Sequence, residues 1–358
     1  MIIRRMAELI RDQNRRIAAS LLFAFVAACA PMQDGALPAF QHDVGVPAPW
    51  DNIPVDAAND KFTFAIISDL NGGEREGIFS VAAAQLALLR PEFVVSVGDL
   101  VDGGTTNPDT FTREFDSFDE RAAVIGVPLV RVGGNHDLTH PEVRKQWAER
   151  YGPRYSHFVY RDVLFLFMDS EDYSDDRMRE IFDARVEAIR LLDAGEDEKA
   201  RAGAYFQMRE RTTGKIGDVQ AAYFARVIAD NPDVRWTFLF MHKPVWMNEG
   251  WDAYPEIETA LADRPYTLIN GHFHEMQYHQ RAGRDHIILG TTGGSQKPAS
   301  ASSFDHISLV TVGGKDGSEP AIVHLRLDGI LDKSGKIPAG GDALCFEAAK
   351  CAKPDAAQ

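Results

Sequence analysis

Val127-Pro128-Leu129-Val130-Arg131-Val132-Gly133-Gly134-Asn135-His136-Asp137 decides how this sequence folds. Its apolar first half reads as a buried strand, and two glycines stop it where Asn, His and Asp are presented. In parallel α/β sheets, ligands sit outside the carboxyl ends of strands. Four other predicted strand ends carry similar cargo: Ser68-Asp69-Leu70-Asn71, Gly98-Asp99-Leu100-Val101-Asp102, Met241-His242 and Gly271-His272-Phe273-His274. Five strand ends that deliver Asp, Asn and His make a site suited to hard or borderline metal ions.

Upstream, 62–67 reads as a strand, 78–89 as an Ala- and Leu-rich helix ending before Pro91, 93–97 as a strand and 110–125 as a helix. Alternating strand and helix predicts parallel β-α-β units. Downstream, 142–150 reads as a short helix, and 155–160 and 163–168 as a hairpin around Arg161-Asp162. An acidic insertion follows at 171–215, in which Ile181, Ile189 and Leu192 suggest a helix with one apolar stripe. Its charges read as a solvated face, with a substrate-covering cap as the other reading. A helix at 218–229, a strand at 236–241 ending at His242, a short helix at 256–262 and a strand at 266–270 come next. Strands at 286–290, 307–312 and 321–327 lack intervening helices, which predicts antiparallel or mixed pairing there.

The chain has 358 residues, 45% hydrophobic and 25% charged, an ordinary globular composition with ample length for a core. Arg4, Arg5, Arg11, Arg15 and Arg16 precede a twelve-residue apolar run, 17–28. That is the pattern of a secretory signal, and it is shorter than the ~20 residues a spanning helix needs. The run ends Val26-Ala27-Ala28-Cys29, which resembles the lipobox of a bacterial lipoprotein. By that resemblance Cys29 is lipidated, and Ala30, not being Asp, favours the outer membrane; simple cleavage and secretion is the alternative. Residues 1–28 are therefore expected to be a signal peptide and 29–58, with five prolines, a tether. The net charge of −15 becomes −18 when the five Arg, one Glu and one Asp of 1–28 are removed. An acidic body argues against nucleic acid as a partner. Bound cations would reverse the local field for a small phosphorylated substrate. Cys345 and Cys351, in the tail 331–358, read as a local disulfide in an oxidising compartment, with two free thiols as the other reading. Nothing in the sequence sets an oligomeric state.

The ordered motifs Asp69…Asn71, Gly98-Asp99…Asp102, Gly134-Asn135-His136-Asp137, His242 and Gly271-His272-Phe273-His274 resemble the calcineurin-like metallophosphoesterase family, over residues 69–274. The resemblance implies a four-layer α/β/β/α sandwich with two mixed sheets, filling 59–330. It also implies a binuclear-metal phosphomonoesterase or phosphodiesterase, which the signal-like N-terminus is expected to place in the cell envelope. Two cations roughly 3.5–4 Å apart clamp the attacking and leaving oxygens of a phosphoryl group and ease deprotonation of a bridging water, the implied nucleophile. By resemblance Asp99 bridges two ions, which Asp, Asn and His ligands allow to be Mn, Fe or Zn. One ion takes Asp69, Asp99 and His274; the other takes Asp99, Asn135, His242 and His272. His136 is implied to steady the phosphate or protonate the leaving oxygen, and Asp137 is read as holding the His136 ring. Were 272–274 a strand, both His would face one side with Phe273 opposite.

One position departs from the family. Asn71 stands where the family usually has His, and Asp102 stands where a purple acid phosphatase has Tyr. Three readings follow: Asn71 ligates through oxygen, Asp102 takes over, or the first metal site is weak. The last would leave a metal-binding envelope lipoprotein with little catalysis. Trp246 and Trp251 read as packing residues, with a substrate-pocket role as the alternative. His279 is the one remaining histidine close behind the metal motif.

Overall fold

A computed structural model describes residues 40–42, 61–248, 250–313 and 318–351. The expected signal peptide, Cys29 and all of the tether except 40–42 lie outside the described residues. Among the described residues, no helix is long and apolar enough to cross a membrane.

Strand β1 (Phe40–His42) falls inside the stretch read as a tether and pairs antiparallel with β5 (Ser156–Tyr160). The β-α-β run expected from the sequence follows. It comprises β2 (Phe62–Ile67), α1 (Ile78–Leu89), β3 (Val94–Ser96), α2 (Pro108–Ala122), β4 (Leu129–Arg131) and α3 (Pro141–Tyr151). Both α2 and α3 open with Pro in the first turn. They are capped by Asn107 and His140, which accept from Asp109 N and Glu142 N. β5 turns into β6 (Val163–Phe167) at Arg161-Asp162, both left-handed with φ of 47° and 60°. That is the geometry of a two-residue hairpin turn whose twist matches its strands.

The insertion is helical: α4 (Asp175–Asp193), α5 (Asp197–Ala202), α6 (Ala204–Gln207) and α7 (Glu210–Thr213). Next come α8 (Asp218–Asp230), β7 (Trp236–Phe240), α9 (Tyr254–Leu261) and β8 (Tyr266–Asn270). The chain then forms β9 (Gln277–Arg281), β10 (Arg284–Ile288), β11 (His306–Val312) and β12 (Ala321–Arg326). Strand β9 was not expected. Its sequence, Gln-Tyr-His-Gln-Arg, has no β-branched residue and it lies at a sheet edge, so neither composition nor apolar period marks it.

Two mixed sheets result, ordered β1-β5-β6-β7-β8-β10-β9 and β12-β11-β2-β3-β4. Their inner faces meet in an aromatic core where Phe64 stacks on Phe93 at 5.2 Å and meets Phe165 and Phe238 edge-on at 5.3 and 5.2 Å. Helices α1 to α3 cover the outer face of the five-stranded sheet, and α8 and α9 cover that of the seven-stranded one. This is the expected α/β/β/α sandwich. Within it β2, β3 and β4 are mutually parallel, as are β6, β7 and β8.

The tail read as 331–358 returns to the sandwich. Cys345 and Cys351 are disulfide-bonded, Phe346 is buried, and the Arg75 guanidinium donates to Cys345 O (2.9 Å) and to both carboxylate oxygens of Asp305 (2.5 Å each). Asp305 is fully buried and also accepts from Thr291 Oγ1 and Gly293 N, yet burial still pushes its carboxyl up to about 6. Removing Arg75 strands that carboxylate, so Arg75→Ala is expected to cost about 3 kcal/mol at pH 8. Without the guanidinium the variant's Asp305 carboxyl lies above the wild-type value of about 6, so the deficit is full above the variant's pKa and shrinks as pH falls toward 6 and Asp305 takes a proton. Urea unfolding at pH 8 and pH 5 should therefore show a clearly smaller difference between variant and wild type at pH 5.

Candidate metal centre

The carboxyl ends of β2, β3 and β4 meet those of β7 and β8 at one edge of the sandwich. Asp69 follows β2, Asp99 follows β3, and Asn135 and His136 follow β4. From the other sheet His242 follows β7, and His272 and His274 follow β8. Backbone bonds lace the junction: Asp69 N to Gly98 O (3.2 Å), Asn71 N to Asp99 O (3.0 Å) and Gly271 N to His242 O (3.0 Å). Such close approach demands glycine. A Cβ on Gly98 would lie 2.7 Å from His242 Nδ1 and 2.9 Å from Gly134 Cα. Asp69, Asp99, His272 and His274 all hold positive φ, at 48°, 55°, 75° and 57°. Each costs of order 1 kcal/mol, strain of the kind that gathers at functional sites.

Two groups of side chains come within metal-binding reach. Asp99, His242 and His272 present ligand atoms within 4.8 Å of one another, and so do Asp69, Asp99 and His274, with Asp99 common to both. All three histidines are oriented the same way. His242 Nδ1 faces Val97 O at 2.9 Å, His272 Nε2 faces Arg211 O at 2.9 Å, and His274 Nδ1 faces Ser295 O at 2.5 Å. A ring nitrogen against a carbonyl must carry the proton, which leaves the other nitrogen unprotonated when the ring is neutral. That is how metal-ligating histidines are usually held. Asn135 Oδ1 lies 3.2 Å from His242 Nε2. The donor set, carboxylate, amide oxygen and imidazole, suits Mn, Fe or Zn.

Electrostatics in the metal-free protein follow from these pairings. Burial pushes Asp99 up, but His242 and His136 outweigh it and hold the carboxyl well below the usual range. Burial lowers His242, and Asp99, 3.1 Å from its Nε2, more than reverses this and raises it to about 9. His274 is likewise raised against burial by Asp69 at 3.3 Å. His272, half-buried, is held well below its ordinary value by desolvation and by the neighbouring Lys243 and His242 charges.

Two expectations meet the structure differently. Asp137 does not hold His136. Its buried carboxylate accepts from the backbone N–H of Leu100 (2.8 Å), Val101 (3.2 Å) and Gly134 (2.8 Å), fastening the β3 and β4 loops together. The His136 ring is held instead by Asp102 O, 2.6 Å from Nδ1, while Asp99 Oδ1 accepts from His136 N at 2.9 Å. The 272–274 segment is no strand. The two left-handed histidines make it a turn, and Asp69 accepts from His272 N at 2.9 and 3.1 Å. Asp102 is exposed and belongs to neither candidate metal group, whereas Asn71 is buried and donates to Leu100 O at 3.3 Å. Asn71 Oδ1 is buried with no donor against it, an orphan atom such as a metal site explains. Trp246 packs on His279 and His286 and donates to Asn270, so neither it nor His279 faces the site. Thr292 N and Gly294 N donate to Ser68 O (2.6 Å) and Asp69 O (2.8 Å), which makes the 291–294 turn a brace for the first aspartate.

One participant was missed. Arg185 on α4 places Nη2 3.0 and 3.1 Å from the two ring nitrogens of His136. The signal was present: Arg185 lies four residues after Ile181 and four before Ile189, a cation within an apolar stripe. Burial, opposed by Asp99 and reinforced by Arg185, brings His136 down to about 4.

No curated protein matches the sequence. Among solved structures the chain is similar to a dimetal phosphatase from Danio rerio (15% identity, 74% of this chain, 99% of that one, TM-score 0.49). It is also similar to the purple acid phosphatase of yellow lupin, Lupinus luteus, seeds (12%, 77% and 53%, 0.49), and to PhoD (11%, 78% and 68%, 0.50). At these identities the likeness concerns the fold. The family described as calcineurin-like phosphoesterase matches residues 62–276, which span every strand end of the site, and the chain belongs to that family.

Proposed function

We propose that this protein hydrolyses phosphomonoesters or phosphodiesters with two metal ions, Mn, Fe or Zn. The observation that carries the reading is the common orientation of His242, His272 and His274: each ring has one nitrogen on a backbone carbonyl and groups with Asp99 or with Asp69 and Asp99. Asp69, Asp99 and His274 hold the first ion, with Asn71 Oδ1 as a further oxygen ligand. Asp99, Asn135, His242 and His272 hold the second. Bound cations in such a site supply Lewis acidity and a readily deprotonated water.

The remaining work falls to the chain itself. His136, its Nδ1 held by Asp102 O, turns Nε2 toward Asp99, 3.9 Å from Oδ2, and in its protonated form donates the Nε2 proton to the departing ester oxygen. Hydrolysis breaks the phosphorus–oxygen ester bond and adds water across it, releasing an alcohol and a phosphate. Asp137 acts as a positioning residue, through the Leu100, Val101 and Gly134 amides. The alternative, a metal-binding envelope protein with weak or no turnover, predicts little or no hydrolysis of phosphoester substrates.

Location is part of the proposal. The basic and apolar run ending at Cys29 supports a lipid-anchored protein of the cell envelope. If so, Cys29→Ala releases the protein from the membrane fraction; retention of that variant in membranes speaks against a lipid at this residue.

Elemental analysis of purified protein is expected to find about two metal ions per chain, and Asn71→Ala about one. Unchanged loading in Asn71→Ala removes that side chain from the ligand set. With Mn²⁺ added, the protein should hydrolyse p-nitrophenyl phosphate or its bis ester, and chelation should abolish turnover. His136→Ala should lower kcat by about a hundredfold or more at unchanged metal content. Absence of turnover across Mn, Fe, Zn, Co and Ni would overturn the hydrolase reading. Asp137→Ala strands three buried N–H groups and is expected to lose about 3 kcal/mol of stability in chelator, measured by urea unfolding.

A further inference from the structure

The helical insertion lines a cavity of about 720 Å³ together with Asp99, His136, His272 and His274. The insertion side is made by Arg185, Ile189 and Leu192 of α4, Tyr205 and Phe206 of α6, and Arg211 of α7. Two chemistries are segregated on it. Arg185 is 9% exposed, forms no ion pair among the described residues, and leaves Nη1 buried without a partner. Its one side-chain neighbour by hydrogen bonding is the His136 ring. An unpaired guanidinium costs several kcal/mol to bury and is geometrically matched to two oxygens of a phosphate. Beside it lies an apolar and aromatic surface, with the Arg211 guanidinium 4.6 Å from the Phe206 ring centroid. Arg211 covers part of the Phe206 ring, and Ile189, 41% exposed, with Leu192 and Tyr205 leaves apolar surface that a substrate's organic group can cover.

We infer that the insertion is the specificity element. Arg185 binds the phosphoryl oxygens of the substrate, and Ile189, Leu192, Tyr205 and Phe206 seat an apolar, aryl-like ester group, so the substrates are phosphoesters of apolar alcohols and phenols. Arg185 exchanges its contact with His136 for one with substrate. The seat includes Ile189 and Leu192, one and two turns along α4 from Arg185. Small polar esters such as glycerol phosphate fill neither part of that surface and are discriminated against.

This inference rests on the hydrolase reading, and binding separates the two. Titration calorimetry of the full-length Mn²⁺-loaded protein with two unhydrolysable probes, phenylphosphonate and methylphosphonate, is the test. Wild type is expected to bind phenylphosphonate about tenfold more tightly. Arg185→Ala should weaken both probes tenfold or more at unchanged metal content, and Arg185→Lys, which keeps the charge and much of the volume, should weaken both several-fold. Phe206→Ala should abolish the preference while leaving methylphosphonate affinity near wild type. In turnover, Arg185→Ala should raise KM for p-nitrophenyl phosphate. Equal affinity for the two probes in wild type overturns the apolar seat, and unchanged affinities in Arg185→Ala and Arg185→Lys overturn the phosphate contact. If the protein binds no metal or turns over nothing, the hydrolase reading fails by itself, and Arg185-dependent phosphonate binding still decides this one.

Discussion

Two aspartates, Asp69 and Asp99, are almost wholly removed from solvent where the carboxyl ends of two sheets meet. Buried carboxylates side by side repel each other and lose hydration, and such an arrangement persists only if the surroundings supply positive charge. In the metal-free protein His242 and His274 supply it, raised against their own burial by the carboxylates they face. Cations would replace those protons, and the same atoms are already in position to receive them. The aromatic core between the sheets fixes the distance between the walls. The left-handed turns at four site residues are strain that this rigid frame sustains.

Much of this was readable from residue order alone. Apolar runs ending in Gly-Asp, Gly-Asn-His and Gly-His gave the parallel strands and their shared carboxyl edge. The candidate metal ligands could be placed at those ends because the period of the strands and the breaking power of glycine are local properties. What escaped reading was non-local. Strand β9 is defined by its pairing with β10 and not by its own composition. The carboxylate of Asp137 looked like a partner for its neighbour His136. It is instead engaged by amides from the Gly98–Val101 loop, which no spacing in the chain announces. The His-Phe-His alternation resembled strand periodicity, but two left-handed residues turn it into a bend.

Arg185 illustrates the same limit from the other direction. Helical periodicity placed it on the buried stripe of α4, and its charge argued for solvent. Only the position of α4 over the metal centre reconciles the two, because a guanidinium can remain desolvated where an anion is to arrive. An insertion that reads as acidic and surface-like thus supplies the cavity with its one buried, carboxylate-free cation among the described residues. The candidate metal-binding edge is built from strand ends, while part of the surface facing it is built from the helices between Asp175 and Thr213. That division explains why the family was legible and the substrate was not.

The imidazoles of the centre are aimed by the main-chain oxygens of Val97, Arg211 and Ser295. Carbonyl groups are the same in every residue type. Evolution can therefore exchange the side chains at 97, 211 and 295 with little effect on how the rings point, provided the backbone path is kept. Drift at these three places would look neutral to anyone comparing sequences, although the aim of the histidines depends on them; a shortened or lengthened loop there would be the damaging change.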